Sequence, residues 1–272
     1  MTKRFTGRRA LVTGASRGIG VGIAERLAAE GADVVIVGRT LEPGASAQPG
    51  SLREVADRLA GYGTTVVPLA VDLTDEESRA DLIDRAAGAL GGPIDTLVNN
   101  AAAAIYAPMA DFPLRRRRVI FEANVHAPLD LAQQVLSGMR ERGAGWIVNL
   151  TSGTAKQWPG PPFELTARGT EMTIYGASKA ALNRLTNGLG AELHGTGIRV
   201  NAVTPRFGVA TEGAVSLIGD DYRDAMETME QMVEATVALC DCDEDVTGQV
   251  LVSLDLLQEW NLDVRQLDGS VL

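Results

Sequence analysis

Residues 10–20 read Ala10-Leu11-Val12-Thr13-Gly14-Ala15-Ser16-Arg17-Gly18-Ile19-Gly20, a short apolar run that ends in a turn holding three glycines. The run has the make-up of a buried strand, and the pattern from Ile19 to about residue 30 is helical. Glycines at 14, 18 and 20 allow a tight turn, close approach of a phosphate and close packing of the helix that follows. Backbone N–H groups and the helix N-terminus then face an anion. The spacing is G-x-x-x-G-x-G rather than G-x-G-x-x-G, and in a chain with 30 glycines it says little alone. Its place between a first strand and a helix gives it meaning.

Outward from this turn, apolar β-branched runs recur at 34–37, 66–69, 96–98, 146–150, 199–203 and 249–252. Helical patterns fall between them at 51–60, 76–90, 114–140, 175–194 and 222–239. Strands that are apolar throughout are buried on both faces, which marks a parallel sheet. Strand–helix alternation predicts right-handed βαβ units. The expected fold is therefore α/β: a single-domain Rossmann fold over residues 1–272, a doubly wound parallel seven-stranded sheet with helices on both faces.

Composition excludes several function classes. The 272 residues are 45% apolar and 22% charged, which rules out a disordered or fibrous chain. Lys and Arg number 25 against 35 Asp and Glu, a net charge of −10 that repels nucleic acid and anionic membrane alike, so neither is an expected partner. No stretch approaches 18 apolar residues, and the basic start leads into a strand rather than a signal peptide. Cys240 and Cys242 form a lone C-x-C and His126 and His194 are the only histidines, so no metal site is expected. The expected setting is cytoplasmic. Arg115 to Arg118 point all round a helix axis and read as a solvated face with one or two partners.

Further motifs make a resemblance specific. They are T-G-A-S-R-G-I-G (13–20), Asp72-Leu73, N-N-A-A (99–102), Asn124, Ser152, Y-G-A-S-K (175–179) and I-R-V-N-A-V-T-P (198–205). From Arg8 to about Val252 the chain resembles the classical short-chain dehydrogenase/reductase family. The resemblance implies a nicotinamide dinucleotide held by Gly14, Ser16, Arg17, Gly18, Ile19 and Gly20 in the first turn. It adds Asp72 and Leu73 near the adenine, Asn100 and Ala101 in the N-N-A turn, and Pro205, Val209 and Thr211 after the sixth strand, with Tyr175 and Lys179 also touching the cofactor. Asp72 otherwise reads as a helix cap, but Thr74 is the better cap and leaves Asp72 free. Ala102 stands where the family has Gly, which a negative φ tolerates.

Which dinucleotide is bound follows from charge. An acid at the end of the second strand grips a ribose 2′-OH, whereas an Arg accommodates a 2′-phosphate. Here the second strand runs into Gly38-Arg39-Thr40, and Arg17 is a second cation able to reach the same phosphate. NADP(H) is the expected cofactor, ahead of NAD(H), unless both are ordinary surface arginines.

Tyr175 and Lys179, four apart at a helix start, share one face. Composition puts a chance Y-x-x-x-K at roughly 0.04. A phenol titrates near ~10 and is a poor acid–base group at neutral pH, but an ammonium and an oxidised nicotinamide ring both stabilise its phenolate. Tyr175 is then expected to be the general acid for carbonyl reduction and the general base for alcohol oxidation. By resemblance Ser152 hydrogen-bonds the substrate oxygen; Thr151 is its rival, since neighbours on a strand face opposite ways. By resemblance too, Asn124 holds a water in a proton relay to the lysine.

The chain also departs from the family. The 153–174 segment is longer than in typical members; its Trp158 and Phe163 read either as the apolar wall of a substrate pocket or as a contact with a neighbouring subunit. Residues 206–222 are the expected substrate lid, opening with Arg206 where the family has Gly. The 254–272 extension, rich in Leu with Trp260, is expected to dock on its own body or on a partner. Family members are often tetramers built on the two long helices flanking the sheet, so a homo-oligomer, tetramer or dimer, is implied. The expected activity is hydride transfer between NADP(H) and a free, fairly apolar carbonyl compound or secondary alcohol. A 3-oxoacyl-(acyl-carrier) reductase is the alternative; its acidic carrier would want a basic patch, for which Arg206 and Arg223 offer a thin one. A non-catalytic NADP(H)-binding sensor or interaction protein is the rival of another class.

Overall fold

A computed structural model describes residues 3–46, 48–163, 169–211, 213–215 and 224–272. Seven strands form one parallel sheet: β1 (Arg9–Thr13), β2 (Asp33–Gly38), β3 (Val66–Ala70), β4 (Thr96–Asn99), β5 (Gly145–Leu150), β6 (Ile198–Thr204) and β7 (Val250–Val252). Their spatial order is β3-β2-β1-β4-β5-β6-β7. The chain winds outward from β1 in one direction and from β4 in the other, so the sheet reverses between them and a crevice opens beyond Thr13 and Asn99.

Alternation along the strands divides the core. Ala10, Val12, Val34 and Ile36 face one layer, built from α1 (Gly18–Ala29) and α2 (Leu52–Leu59). Leu11, Val35 and Val37 face the other, built from α4 (Leu82–Leu90), which follows the single turn α3 (Glu76–Arg79), and from α6 (Ala127–Arg142), which continues α5 (Leu114–Phe121). The remaining helices are α7 (Thr173–Glu192), α8 (Met229–Leu239) and α9 (Ser253–Glu259). Ser51 caps α2 by accepting from Glu54 N–H, and Thr228 and Gln231 form a reciprocal capping box on α8.

Several expectations need correction. The helix foreseen at 76–90 is two, broken at Ala80-Asp81. The one foreseen at 114–140 runs to Arg142 and widens into a π turn at Glu122–His126. The helix foreseen at 222–239 starts at Met229: residues 224–228 lie outside it, with Glu227 bridging Val209 and Thr228 as the N-cap. Thr74 caps nothing: its N–H and its hydroxyl both donate to Asp72 Oδ1, at 3.0 and 2.8 Å, so the aspartate is engaged in an Asx turn rather than left free. Arg115 to Arg118 are all exposed and none has a partner among the described residues, where one or two were expected.

The tail docks on its own body. Leu254, Trp260, Leu262, Val264 and Leu267 pack against the layer of α1 and α8. Arg26 on α1, fully buried, pairs with Glu234 at 2.7 Å and donates to the carbonyls of Arg265 and Gln266. No helix among the described residues is long and apolar enough to cross a membrane.

Candidate active site

The glycine turn is shaped by close approaches. Gly14 has φ +68°, and a Cβ there would lie 2.8 Å from Ala101 Cα and 2.9 Å from the Asn100 amide nitrogen. Gly20 backs directly onto the Gly14 carbonyl, which leaves no room for a side chain. Thr13 and Asn100 stitch this turn to the N-N-A-A turn. Thr13 Oγ1 accepts from the N–H groups of Asn100 and Ala101, both at 3.0 Å, while Asn100 Nδ2 donates to Thr13 O at 2.8 Å. Asn261 is the one non-glycine residue with positive φ among those described, so Ala102 meets the condition set for it.

Two clefts meet along the carboxyl edge of the sheet. The distal one, about 510 Å³, is lined by Gly14, Ser16, Arg17, Arg39, Asp72, Leu73, Ala101, Val119 and Ala123. The proximal one, about 390 Å³, is lined by Ile19, Ser152, Tyr175, Lys179, Pro205, Val209 and Thr211. Asn100, Ala102 and Ala104 line both. The floor carries two positive-φ glycines, Gly14 and Gly18, in a turn whose N–H groups open toward an anion, and the trough spans both clefts, so an elongated dinucleotide fits it. Arg39 at the distal rim is exposed and has no hydrogen bond or ion pair with any described residue; Arg17 donates only to the Pro49 carbonyl, at 3.2 Å.

In the proximal cleft, α7 brings Tyr175 and Lys179 one turn apart against the end of β5. Gly176 permits this, because a Cβ there would lie 2.6 Å from Thr154 O. Lys179 Nζ donates to Leu150 O at 2.8 Å and stands 5.9 Å from the Tyr175 ring centre. Tyr175 interacts with the Ser152 hydroxyl, and Ser152 Oγ also accepts from Thr154 Oγ1 at 2.9 Å. Ser152 and Thr151 both line the cleft, but the Thr151 hydroxyl is buried without a partner whereas that of Ser152 is engaged with the tyrosine.

Burial pushes the Tyr175 phenol above its ordinary range; the neighbouring Tyr106 adds to this, and the Ser152 hydrogen bond opposes it. Burial also lowers Lys179 from 10.5 to about 8, leaving it charged at neutral pH. From sequence the ammonium and an oxidised nicotinamide ring are expected to lower the phenol; here burial sets its direction, and Lys179 Nζ is bonded to the Leu150 carbonyl.

Asn124, fully buried in the π turn, accepts from Ala103 N–H at 2.8 Å and donates to Ala103 O and to Ser178 Oγ. Ser178 in turn donates to Tyr175 O at 2.7 Å. The side chain of Asn124 thus fastens the N-N-A-A turn to α7. Trp158 lines the proximal cleft, whereas Phe163 is 57% exposed and is absent from its lining, so the two aromatics of the insert do not act together. Residues 164–168 of that insert, residues 212 and 216–222 of the expected lid, and Arg223 lie outside the described residues. Arg206 is paired with Asp255.

Sequence reasoning missed Tyr106, Met172 and Phe207, which line the proximal cleft, and Thr13, which ties the glycine turn to the N-N-A-A turn. Tyr106 meets Tyr175 edge to face with ring centres 5.5 Å apart. Only Thr13 carried a signal, as a polar residue closing an apolar strand directly before the glycine turn.

The fold and this arrangement define a nicotinamide-dependent oxidoreductase, and the comparisons agree. The family described as short chain dehydrogenase matches residues 8–218. The chain is 33% identical to gluconate 5-dehydrogenase of Gluconobacter oxydans (strain 621H), over 91% of this chain and 93% of that one. It is 35% identical to ketoacyl reductase HetN of Nostoc sp. over 75% of this chain, a match that spans 64% of that relative's length. A solved 3-oxoacyl (acyl-carrier-protein) reductase from Agrobacterium tumefaciens C58, with NADP bound, superposes with a TM-score of 0.76 at 28% identity, covering 92% of this chain and 94% of that one. The chain belongs to the short-chain dehydrogenase family, oxidoreductases that bind a nicotinamide cofactor and act on small-molecule alcohols and carbonyls.

Proposed function

We propose that this protein is an NADP(H)-dependent carbonyl reductase or secondary-alcohol dehydrogenase acting on a free, fairly apolar substrate. The observation that carries the cofactor choice is Arg39, partnerless among the described residues at the distal rim, just past a second strand that ends without an acid. A guanidinium there suits a 2′-phosphate, and Arg17 stands on the same cleft. The glycine turn, with Ser16 and Ile19, would cradle the pyrophosphate. Asp72 and Leu73 would flank the adenine, and Asn100, Ala101, Pro205, Val209 and Thr211 would line the nicotinamide half.

When bound, NADPH supplies the hydride that reduces the carbonyl carbon. The chain's own residues handle the oxygen. Tyr175, held neutral by its buried setting, gives its phenolic proton to the carbonyl oxygen, and Ser152 donates a hydrogen bond to that oxygen as charge develops. Lys179 holds positive charge beneath the tyrosine and lowers the cost of the transient phenolate. Asn124 keeps the turn and α7 in register, the base of the expected relay to the lysine. Tyr106, Trp158, Met172 and Phe207 give the substrate side an apolar, aromatic wall. The alternative acyl-carrier substrate is disfavoured because Arg206 is already paired with Asp255.

A homo-oligomer belongs to the same reading, supported by an apolar groove between α6 and α7 lined by Leu129, Leu182, Leu185 and Leu189. Light scattering that reports a monomer would remove it. The deciding experiment for function is titration with NADPH and with NADH, read by nicotinamide fluorescence, then a ketone panel on the tighter complex. Preference for NADPH by tenfold or more, about 1.4 kcal/mol, supports the reading; equal or NADH-favoured binding overturns the cofactor, and binding of neither revives a non-catalytic role.

A further inference from the structure

Glu227 has no part in the chemistry above, yet it is 3% exposed and both of its carboxylate oxygens are engaged. Oε1 accepts from Arg206 N–H at 2.5 Å and Oε2 is bonded to the Ser253 hydroxyl at the start of α9. Its backbone is engaged too: Glu227 N–H donates to Gly208 O at 2.8 Å, and Ala210 N–H donates to Glu227 O at 3.0 Å. One residue therefore grips the 206–210 stretch at three points. A buried carboxylate is costly unless every oxygen is satisfied, and here both oxygens are.

The stretch it grips, with Pro205 and Thr211 at its ends, lines the proximal cleft that Tyr175 also lines, through Phe207 and Val209. That wall also abuts the serine. A Cβ on Gly153 would lie 3.2 Å from Arg206 O and 3.5 Å from Pro205 O, so these carbonyls rest on the residue next to Ser152. Glu227 itself does not line the cleft.

We infer that Glu227 is a positioning residue: through Arg206 N–H and Ser253 it fixes the 205–211 wall against Gly153, and so sets the distance between that wall and the Ser152–Tyr175 pair. This rests on the reading of the proximal cleft as the nicotinamide and substrate site.

The hydrogen count supplies a discriminating pair of variants. Ser253 has one hydroxyl hydrogen and two acceptors in reach, Glu227 Oε2 and Thr204 O at 3.2 Å. In Glu227→Gln the amide donates to Ser253 Oγ, Ser253 donates to Thr204 O, and the remaining oxygen still accepts from Arg206 N–H. Geometry is kept without charge. Glu227→Ala removes both tethers.

The test compares these variants and Ser253→Ala in the full chain by hydrogen exchange, and by binding of NADPH against 2′,5′-ADP, which on the proposed placement of the cofactor reaches only the distal cleft. In Glu227→Ala the Arg206 amide, which loses its acceptor, is expected to exchange about tenfold faster, as for loss of one hydrogen bond's worth of protection, while the Ala210 amide keeps its main-chain acceptor at position 227. NADPH turnover is expected to drop about 10–100-fold, the scale of a sub-ångström to 1 Å misplacement, while 2′,5′-ADP affinity stays within about twofold and Glu227→Gln within about threefold of wild type. Unchanged exchange at the Arg206 amide, equal losses in Gln and Ala, or a parallel loss of 2′,5′-ADP affinity would each overturn the inference. If Glu227→Ala does not fold, Ser253→Ala is expected to show the same exchange pattern more weakly, and its absence there counts equally against the idea. Exchange is read without substrate, so wild-type protein that turns over no ketone would refute the proposed reaction while leaving this assignment testable.

Discussion

Arg26 and Glu234 meet at 2.7 Å with the arginine side chain wholly out of solvent, and the guanidinium also reaches Glu30 at 3.5 Å and the backbone of the tail, at Arg265 O and Gln266 O. The pair is thus a clasp between α1, α8 and residues 265–266. Removing one member of a buried pair costs about 3–5 kcal/mol, chiefly because the other charge is left uncompensated. Arg26→Met is expected to destabilise the protein on that scale in urea titration and to expose the tail to protease at 262–272. A midpoint shift below about 1 kcal/mol would show that the clasp is not what holds the tail.

Tyr175→Phe removes one oxygen and keeps the ring that packs edge-on to Tyr106. Turnover is expected to fall by at least about a thousandfold, the upper part of the general-acid range with the Ser152 bond lost as well, while NADPH affinity stays within about threefold. Single-turnover kinetics checks this; residual activity within tenfold of wild type would leave the proton to another donor.

Arg39→Asp places an acid where a ribose 2′-OH could be gripped and repels a 2′-phosphate. The NADPH/NADH affinity ratio is expected to fall at least about tenfold, and an unchanged ratio would return Arg39 to the status of a surface cation.

Lys179 gives a pH dependence of definite sign. Its folded value, about 8, lies below the ordinary 10.5 because of burial. Below pH 8 both folded and unfolded chains hold the proton, and the fold bears the full cost of a buried ammonium. Between about 8 and 10.5 the folded chain has released it and the unfolded chain has not, so unfolding takes up a proton and stability rises with pH by up to about 3 kcal/mol. Lys179→Met is expected to lose that rise. Tyr175, whose raised value acts the opposite way above pH 10, is present in both proteins and cancels in the difference. Parallel urea titrations of the two proteins at pH 7 and pH 10 check it; equal pH slopes would contradict the shift.

How much of this was legible beforehand depended on distance along the chain. Tyr175 and Lys179 are four residues apart, and helical geometry alone puts them together. The glycine turn, the seven strands and their parallel order follow from local periodicity. The partnership of Ser152 with Tyr175 spans 23 residues of chain and came only through resemblance. Arg26 shows why burial is harder to read than spacing. Its i,i+4 relation to Glu30 looks like a solvated pair, and nothing local reveals that residues 265–266 will close over it. Glu227, one acid in a polar stretch, had no signal of its own. Its meaning comes from β6 and α9 converging on it. The misassigned cap at Thr74 failed for a local reason: Asp72 Oδ1 accepts from both the N–H and the hydroxyl of Thr74, and the hydroxyl is spent there rather than on the helix.

The π turn at Glu122–His126 is a phase shift. An α-helix advances about 100° per residue, so one extra residue in a turn rotates everything beyond it by that angle relative to everything before. Val119 before the turn and Ala123 within it line the distal cleft; beyond the turn Leu131, Val135 and Met139 pack into the core layer against the sheet. Both halves face their targets only because the helix slips register between them. Deleting a single residue from 122–126 would heal the hydrogen-bond ladder and put one of the two faces out of alignment. A shorter, more regular helix would then make a worse enzyme.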